Sequence, residues 1–147
     1  MKCIPVSGTP GGEMLRRYWH PIGFSTELKG RPKRRRLLGE DLVLFRDDQG
    51  RLGLLELRCL HRGTSLEFGH IEDGGLRCCY HGWLYDVDGR VLEQPGEPPD
   101  SSFKERICNG LTRFRSLPGL SLPTSVPTRR RSCPATMCWC EKTEFDP

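Results

Sequence analysis

The 147-residue chain has little apolar material and no long run of it. No stretch approaches the roughly 20 residues that cross a bilayer. The opening Met1-Lys2-Cys3-Ile4-Pro5-Val6-Ser7-Gly8 has no apolar segment of signal-peptide length. The sequence therefore predicts a cytoplasmic protein without membrane contact. Hydrophobic residues make up 35% and aromatic residues 8%, so the core must be modest. Histidine is scarce, at four residues, and no His-x₄-His pair occurs. That argues against a mononuclear iron site of two histidines and a carboxylate, and no catalytic residue is expected in this chain.

Glycine, proline and cysteine are present instead. The 17 Gly and 12 Pro point to turns and short strands. Eight cysteines in a reducing compartment argue for metal binding more than for disulfides. The net charge of +4 is mild and local. Arg31, Lys33, Arg34, Arg35 and Arg36 form one basic run, and Arg129, Arg130 and Arg131 another. No aromatic stacking set or DNA-binding motif accompanies either, so both read as solvated loop and no nucleic-acid partner is expected. The first run could also meet an acidic redox partner.

Residues 1–17 read as a lead-in, with a short helix or turn over 9–19. A first strand is expected over 20–25, then a charged connection over 26–36. Residues 42–46 and 52–57 flank Asp47-Asp48-Gln49-Gly50 as a hairpin, and 83–86 and 90–92 flank Val87-Asp88-Gly89 as a second. The fold class is all-β, built of small antiparallel sheets over residues 18–107. Beyond Ile107, Arg, Pro, Ser and Thr make up nearly half of the sequence, with no apolar periodicity that would bury a face. Residues 108–147 read as an irregular tail, in which Cys133-x₄-Cys138-x-Cys140 matches no standard metal spacing. The abrupt change suggests an out-of-frame reading of a longer gene.

Between Leu57 and Trp83 stand Cys59-x-His61 and, sixteen residues on, Cys78-x-x-His81. Chance would produce this pattern with a probability of about 0.001 at this composition, a low false-positive risk for a motif. Each half offers one thiolate and one imidazole from a tight loop. A [2Fe–2S] cluster with Cys59 and Cys78 on one iron and His61 and His81 on the other fits this set. A Cys₂His₂ zinc site uses the same ligand types, but the usual zinc-finger spacing differs. Neutral imidazoles in place of two thiolates bring the oxidised cluster to formal neutrality, so an added electron costs less. Gly63 and Gly82 each lie near a ligand histidine, where positive φ lets backbone N–H groups approach sulfur. His20 and His70 read as ordinary structural or surface positions.

RRYWHPIGF, LLGEDLVLFRDDQGRLGLLE and CLHRGTSLEFGHIEDGGLRCCYHGWLYDVDGR together resemble the N-terminal Rieske (ISP-type) [2Fe–2S] domain of ring-hydroxylating oxygenase α subunits, with phthalate dioxygenase-like members nearest in character. The resemblance covers about residues 13–107. It implies cluster-binding loops at one end of the fold, with ligands Cys59, His61, Cys78 and His81. Leu60 stands where many members have proline, and Cys79 where proline or a hydrophobic residue is common. Respiratory Rieske proteins carry disulfide cysteines at positions that are Thr64 and Tyr80 here. The resemblance thus implies the disulfide-free type, near the lower end of the Rieske range of roughly −150 to +300 mV.

The resemblance also implies a reductase or ferredoxin donor, and homotrimers or hetero-oligomers for full-length members. The catalytic domain of such an oxygenase, and with it the substrate, lies outside this sequence. A free-standing Rieske-type ferredoxin, or a truncated product without function, are the alternative readings.

Overall fold

A computed structural model of the chain describes residues 9–98 and 100–109, and the backbone of a strand at 123–127. Helix α1 (Pro10–Leu15) starts with proline, and Thr9 caps it by accepting the Gly12 N–H at 3.1 Å. Strand β1 (Trp19–Phe24) follows. The strands β2 (Lys33–Leu37), β3 (Glu40–Arg46) and β4 (Leu52–Glu56) make a three-stranded antiparallel sheet in that order. The strands β5 (His70–Glu72), β6 (Gly75–Arg77), β7 (Leu84–Tyr85) and β8 (Val91–Glu93) make a four-stranded one. The expected hairpins are β3–β4 and β7–β8, and the architecture is all-β.

Three parts differ from the sequence expectation. The basic stretch read as a connection is strand β2, whose side chains alternate between half-buried and exposed. An edge strand needs no apolar face, and charge on it blocks pairing with other chains. The β5–β6 hairpin was not anticipated because its strands are only three residues long. Its Asp73-Gly74 turn, with φ of 49° and 74°, is the type I′ geometry that tight hairpins favour. Finally, strand β9 (Pro123–Pro127) comes from the tail and pairs antiparallel with β1. Its ladder satisfies the backbone without an apolar pattern, and proline is tolerated at such an edge.

Two small cores result. Leu42, Leu44 and Leu54 pack with Ile22 and Leu28 on one side of the β2–β4 sheet. Val43, Phe45, Leu55 and Leu57 pack on the other side against Leu76, Trp83, Tyr85 and Val91. Strand β3 is thus covered on both faces, which explains its unbroken Leu-Val-Leu-Phe run. Cys59 and Cys78 belong to the second core, so the site is built on the packed interface of the two sheets.

Among the described cysteines, Cys59, Cys78 and Cys79 are free, whereas Cys108 is disulfide-bonded. This departs from the expectation of metal binding over disulfides. Compartment chemistry speaks to redox poise and not to which sulfurs a fold brings together.

Candidate metal centre

The two ligand loops share one backbone design. In the first, the Cys59 carbonyl accepts the Gly63 N–H at 2.8 Å, and the Cys59 N–H donates to the Thr64 carbonyl at 2.9 Å. In the second, the Cys78 carbonyl accepts the Gly82 N–H at 3.1 Å, and the Cys78 N–H donates to the Trp83 carbonyl at 2.8 Å. Each loop therefore closes on the residue four places after its cysteine. That residue takes φ of 69° at Gly63 and 73° at Gly82, the left-handed region that costs glycine little. The histidine sits two places after the cysteine in one loop and three in the other.

The fold brings all four predicted residues together at one end. Both thiols are buried, His61 is exposed and His81 is half-buried. The imidazole rings of His61 and His81 lie 4.4 Å apart, edge to face. The Trp83 ring stacks on His61 at 5.0 Å and 6°, and Tyr80 lies against His81 at 3.7 Å. These contacts fix the ring directions while leaving an imidazole edge open to solvent.

Burial pushes the Cys78 thiol up in pKa, the neighbouring Cys59 adds to this, and the N–H groups of Tyr80 and His81 oppose it. Those two amides point at sulfur, as the glycine turn suggested. His81 is pushed down, first by burial and then by His61 and the Arg62 cation, so its neutral, metal-binding form is favoured.

The donors form two pairs, one of thiols in hydrogen-bond contact and one of imidazoles. A soft pair facing a nitrogen pair is the donor set of a two-iron cluster with mixed ligands. The residues present fit that group.

Three supporting residues escaped the sequence reading. The Tyr85 hydroxyl accepts the Leu60 N–H at 3.0 Å and stands 3.1 Å from Cys59 Sγ. Toward a Cys59 thiolate, which can only accept, the hydroxyl is the donor. Burial, and then Cys59, push Tyr85 up in pKa, so it stays a donor. Arg77, the residue before Cys78, donates from Nη1 to the Gly82 carbonyl at 2.9 Å and to Glu93 at 2.8 Å. Its Nη2 donates to Asp73 at 3.0 Å and its Nε to Glu72. Glu93 and the other two carboxylates hold this guanidinium firmly protonated. The fully buried Asn109 donates from Nδ2 to the Arg58 carbonyl at 3.0 Å, and its N–H donates to Gly89 O at 2.7 Å. It ties the root of the first loop to the β7–β8 turn.

The remaining candidates lie apart. His20 donates from Nε2 to the Leu15 carbonyl at 2.6 Å, a structural contact. His70 is exposed on β5. Cys133, Cys138 and Cys140, and the second basic run, lie outside the described residues.

Residues 18–115 match the family described as the Rieske [2Fe–2S] domain, a span that runs past the boundary read at residue 107. The chain is 52% identical to the tert-butanol monooxygenase / tert-amyl alcohol desaturase oxygenase subunit of Aquincola tertiaricarbonis, over 84% of this chain and 26% of that protein. It is 45% identical to the phthalate 4,5-dioxygenase oxygenase subunit of Pseudomonas putida, over 80% of this chain and 27% of that protein. The chain thus spans about a quarter of the length of these curated relatives. Among solved structures it resembles NdmA of Pseudomonas putida CBB5, in the QL mutant with theobromine, with a TM-score of 0.67 and 28% identity over 80% of this chain and 35% of that one.

Proposed function

Because this chain belongs to the Rieske [2Fe–2S] domain family, we propose that it is the electron-receiving module of a ring-hydroxylating oxygenase. Cys59 and Cys78 hold one iron, and His61 and His81 the other. The observation that carries this reading is the meeting of a buried thiol pair and a solvent-facing imidazole pair on two loops of matching backbone design. When bound, the cluster takes up and releases one electron at a potential raised by its neutral imidazole ligands.

The chain's own residues do the rest. Cys59 and Cys78 anchor the inner side within the core. Tyr85 and the loop amides hydrogen-bond sulfur, which stabilises the added charge. His61 and His81 form the outward edge through which an electron enters or leaves. The donor is a reductase or ferredoxin. The assembly is that of the oxygenase subunits the chain resembles, and their substrates would be met by parts of those proteins that this chain does not match. Its Rieske body extends from residue 18 to at least Asn109, which closes the first loop's root.

The test is anaerobic reconstitution of residues 1–147 followed by dithionite reduction. The expected result is two irons and two sulfides per chain with a Rieske-type EPR signal. His61→Ala or His81→Ala should abolish that signal and His70→Ala should leave it. A colourless protein holding one zinc would overturn the reading.

A further inference from the structure

Lys33, Arg34, Arg35 and Arg36 of the first basic run lie on edge strand β2, with Arg31 just before it, and the ladder sets the strand beside the root of the first ligand loop. Arg36 faces Asp41 across the β2–β3 pair. The Asp41 carbonyl in turn accepts the Leu57 N–H at 3.0 Å, and Cys59 follows two residues later. With strands about 4.8 Å apart and about 3.3 Å per residue, Arg36 and Cys59 are on the order of 12 Å apart. That is comparable with the Debye length of about 8–10 Å at ordinary ionic strength, so the field of the strip reaches the surface around the ligand loop.

Among the described residues, the strip carries more cations than the carboxylates it meets. Residues 29–36 hold six cations: Lys29, Arg31, Lys33, Arg34, Arg35 and Arg36. Arg34 and Arg36 share one carboxylate, Asp41, at 3.1 and 3.9 Å, and Arg35 meets Glu27. Among the described residues, these six cations meet two carboxylates, and Glu40 at the β2–β3 turn is held by Arg16, so the strip keeps a positive excess. Blocking edge-to-edge pairing accounts for one or two charges on such a strand but not for six within eight positions. At the imidazole edge itself, exposed Tyr80 lies against His81, the Arg62 cation acts on His81, and exposed Leu60 precedes His61.

We propose that the β2 strip docks the acidic face of a protein electron donor and steers it toward the edge formed by His61 and His81. This rests on the electron-receiving reading above and names its partner: a reduced, anionic iron–sulfur or flavin protein. In the encounter the donor loses one electron and this chain gains it. No covalent bond forms or breaks and no proton is transferred. Charge complementarity of this kind acts mainly on the association rate, by about 10 to 1,000-fold, and fades with added salt.

The test uses the reconstituted full chain and an acidic plant-type [2Fe–2S] ferredoxin, whose potential lies below the Rieske range. Stopped-flow reduction should slow at least tenfold at low salt in the triple variant Arg31→Glu/Arg34→Glu/Arg36→Glu, and its salt dependence should flatten. Titration with oxidised ferredoxin should show binding at least tenfold weaker, and reduction by dithionite should stay within twofold. Should the reversal variant not fold, Arg31→Gln/Arg34→Gln/Arg36→Gln should show a smaller loss of the same sign.

Arg129→Glu/Arg130→Glu/Arg131→Glu makes the same change in net charge. If it slows the reaction as much, or if the β2 variants react like the parent, the docking surface is not this strip. Binding of a single-stranded oligonucleotide that is tighter than binding of ferredoxin, and lost on reversal, would assign the strip to nucleic acid instead. A parent chain without a Rieske signal before any donor is added removes the electron-receiving reading and this inference together, whereas a loaded parent whose rate ignores the reversal removes only the inference.

Discussion

At the scale of single residues, two side chains connect the scaffold to the cluster loops by different means. The Tyr85 hydroxyl stands 3.1 Å from Cys59 Sγ, where it donates to a thiolate sulfur, and a donor on sulfur favours the form carrying the extra electron. Tyr85→Phe removes only that hydroxyl. A hydrogen bond of about 1–1.5 kcal/mol corresponds to roughly 40–65 mV in a one-electron couple, so redox titration of the variant should show a midpoint lower by about that amount. An unchanged midpoint would mean that the hydroxyl does not reach the sulfur. Arg77 instead acts on shape, by pinning the Gly82 carbonyl while three carboxylates hold its guanidinium. Arg77→Gln removes three ion pairs with exposed carboxylates and frees the second loop. Urea unfolding should show a loss of about 1 kcal/mol, and the variant should shed iron to a chelator faster than the parent. The four candidate donors stand out in the sequence because their spacing is local. Tyr85 and Asn109 do not, because each acts on a partner in a distant stretch of chain, Cys59 and Arg58, and Arg77 does not, because its near partners Glu72, Asp73 and Gly82 follow no standard motif spacing. No local pattern reports such pairs.

At the scale of elements, turn chemistry explains what was read and what was missed. The β3–β4 hairpin stood out because the buried Asp47 carboxylate accepts the N–H groups of Gln49 and Arg51, the Asx-type turn that Asp-rich loops announce. The β7–β8 turn repeats this with Asp86 accepting from Asp88 and Arg90. The β5–β6 hairpin carried an Asp-Gly signal, but strands of three residues show no alternation to flank it. The β2–β3 turn carried no proper signal at all, since Leu38 occupies a left-handed position with φ of 48° ahead of Gly39 at 86°. A leucine there is strained by about 1–2 kcal/mol. Leu38→Asn suits a type I′ turn and should raise the thermal midpoint, by about 1 kcal/mol of added stability. Its carbonyl, which accepts from Arg16, is kept. A lower midpoint would show that burial of the leucine side chain outweighs the backbone strain.

At the scale of the molecule, the all-β architecture was legible from hairpins and composition, while the joining of two small sheets through a shared core was not. That joining decides the site. The cysteines descend from the core between the sheets, and the histidines stand at the open end with a basic edge strand nearby. Among the described residues no helix is long and apolar enough to cross a membrane. The central claim is that each iron has ligands of one kind. Nitrogen hyperfine spectroscopy on the reduced, reconstituted chain tests it most directly. The account predicts two strongly coupled histidine nitrogens, reduced to one or lost with the cluster in His61→Ala and in His81→Ala. A spectrum with one coupled nitrogen or none in the parent chain would contradict it.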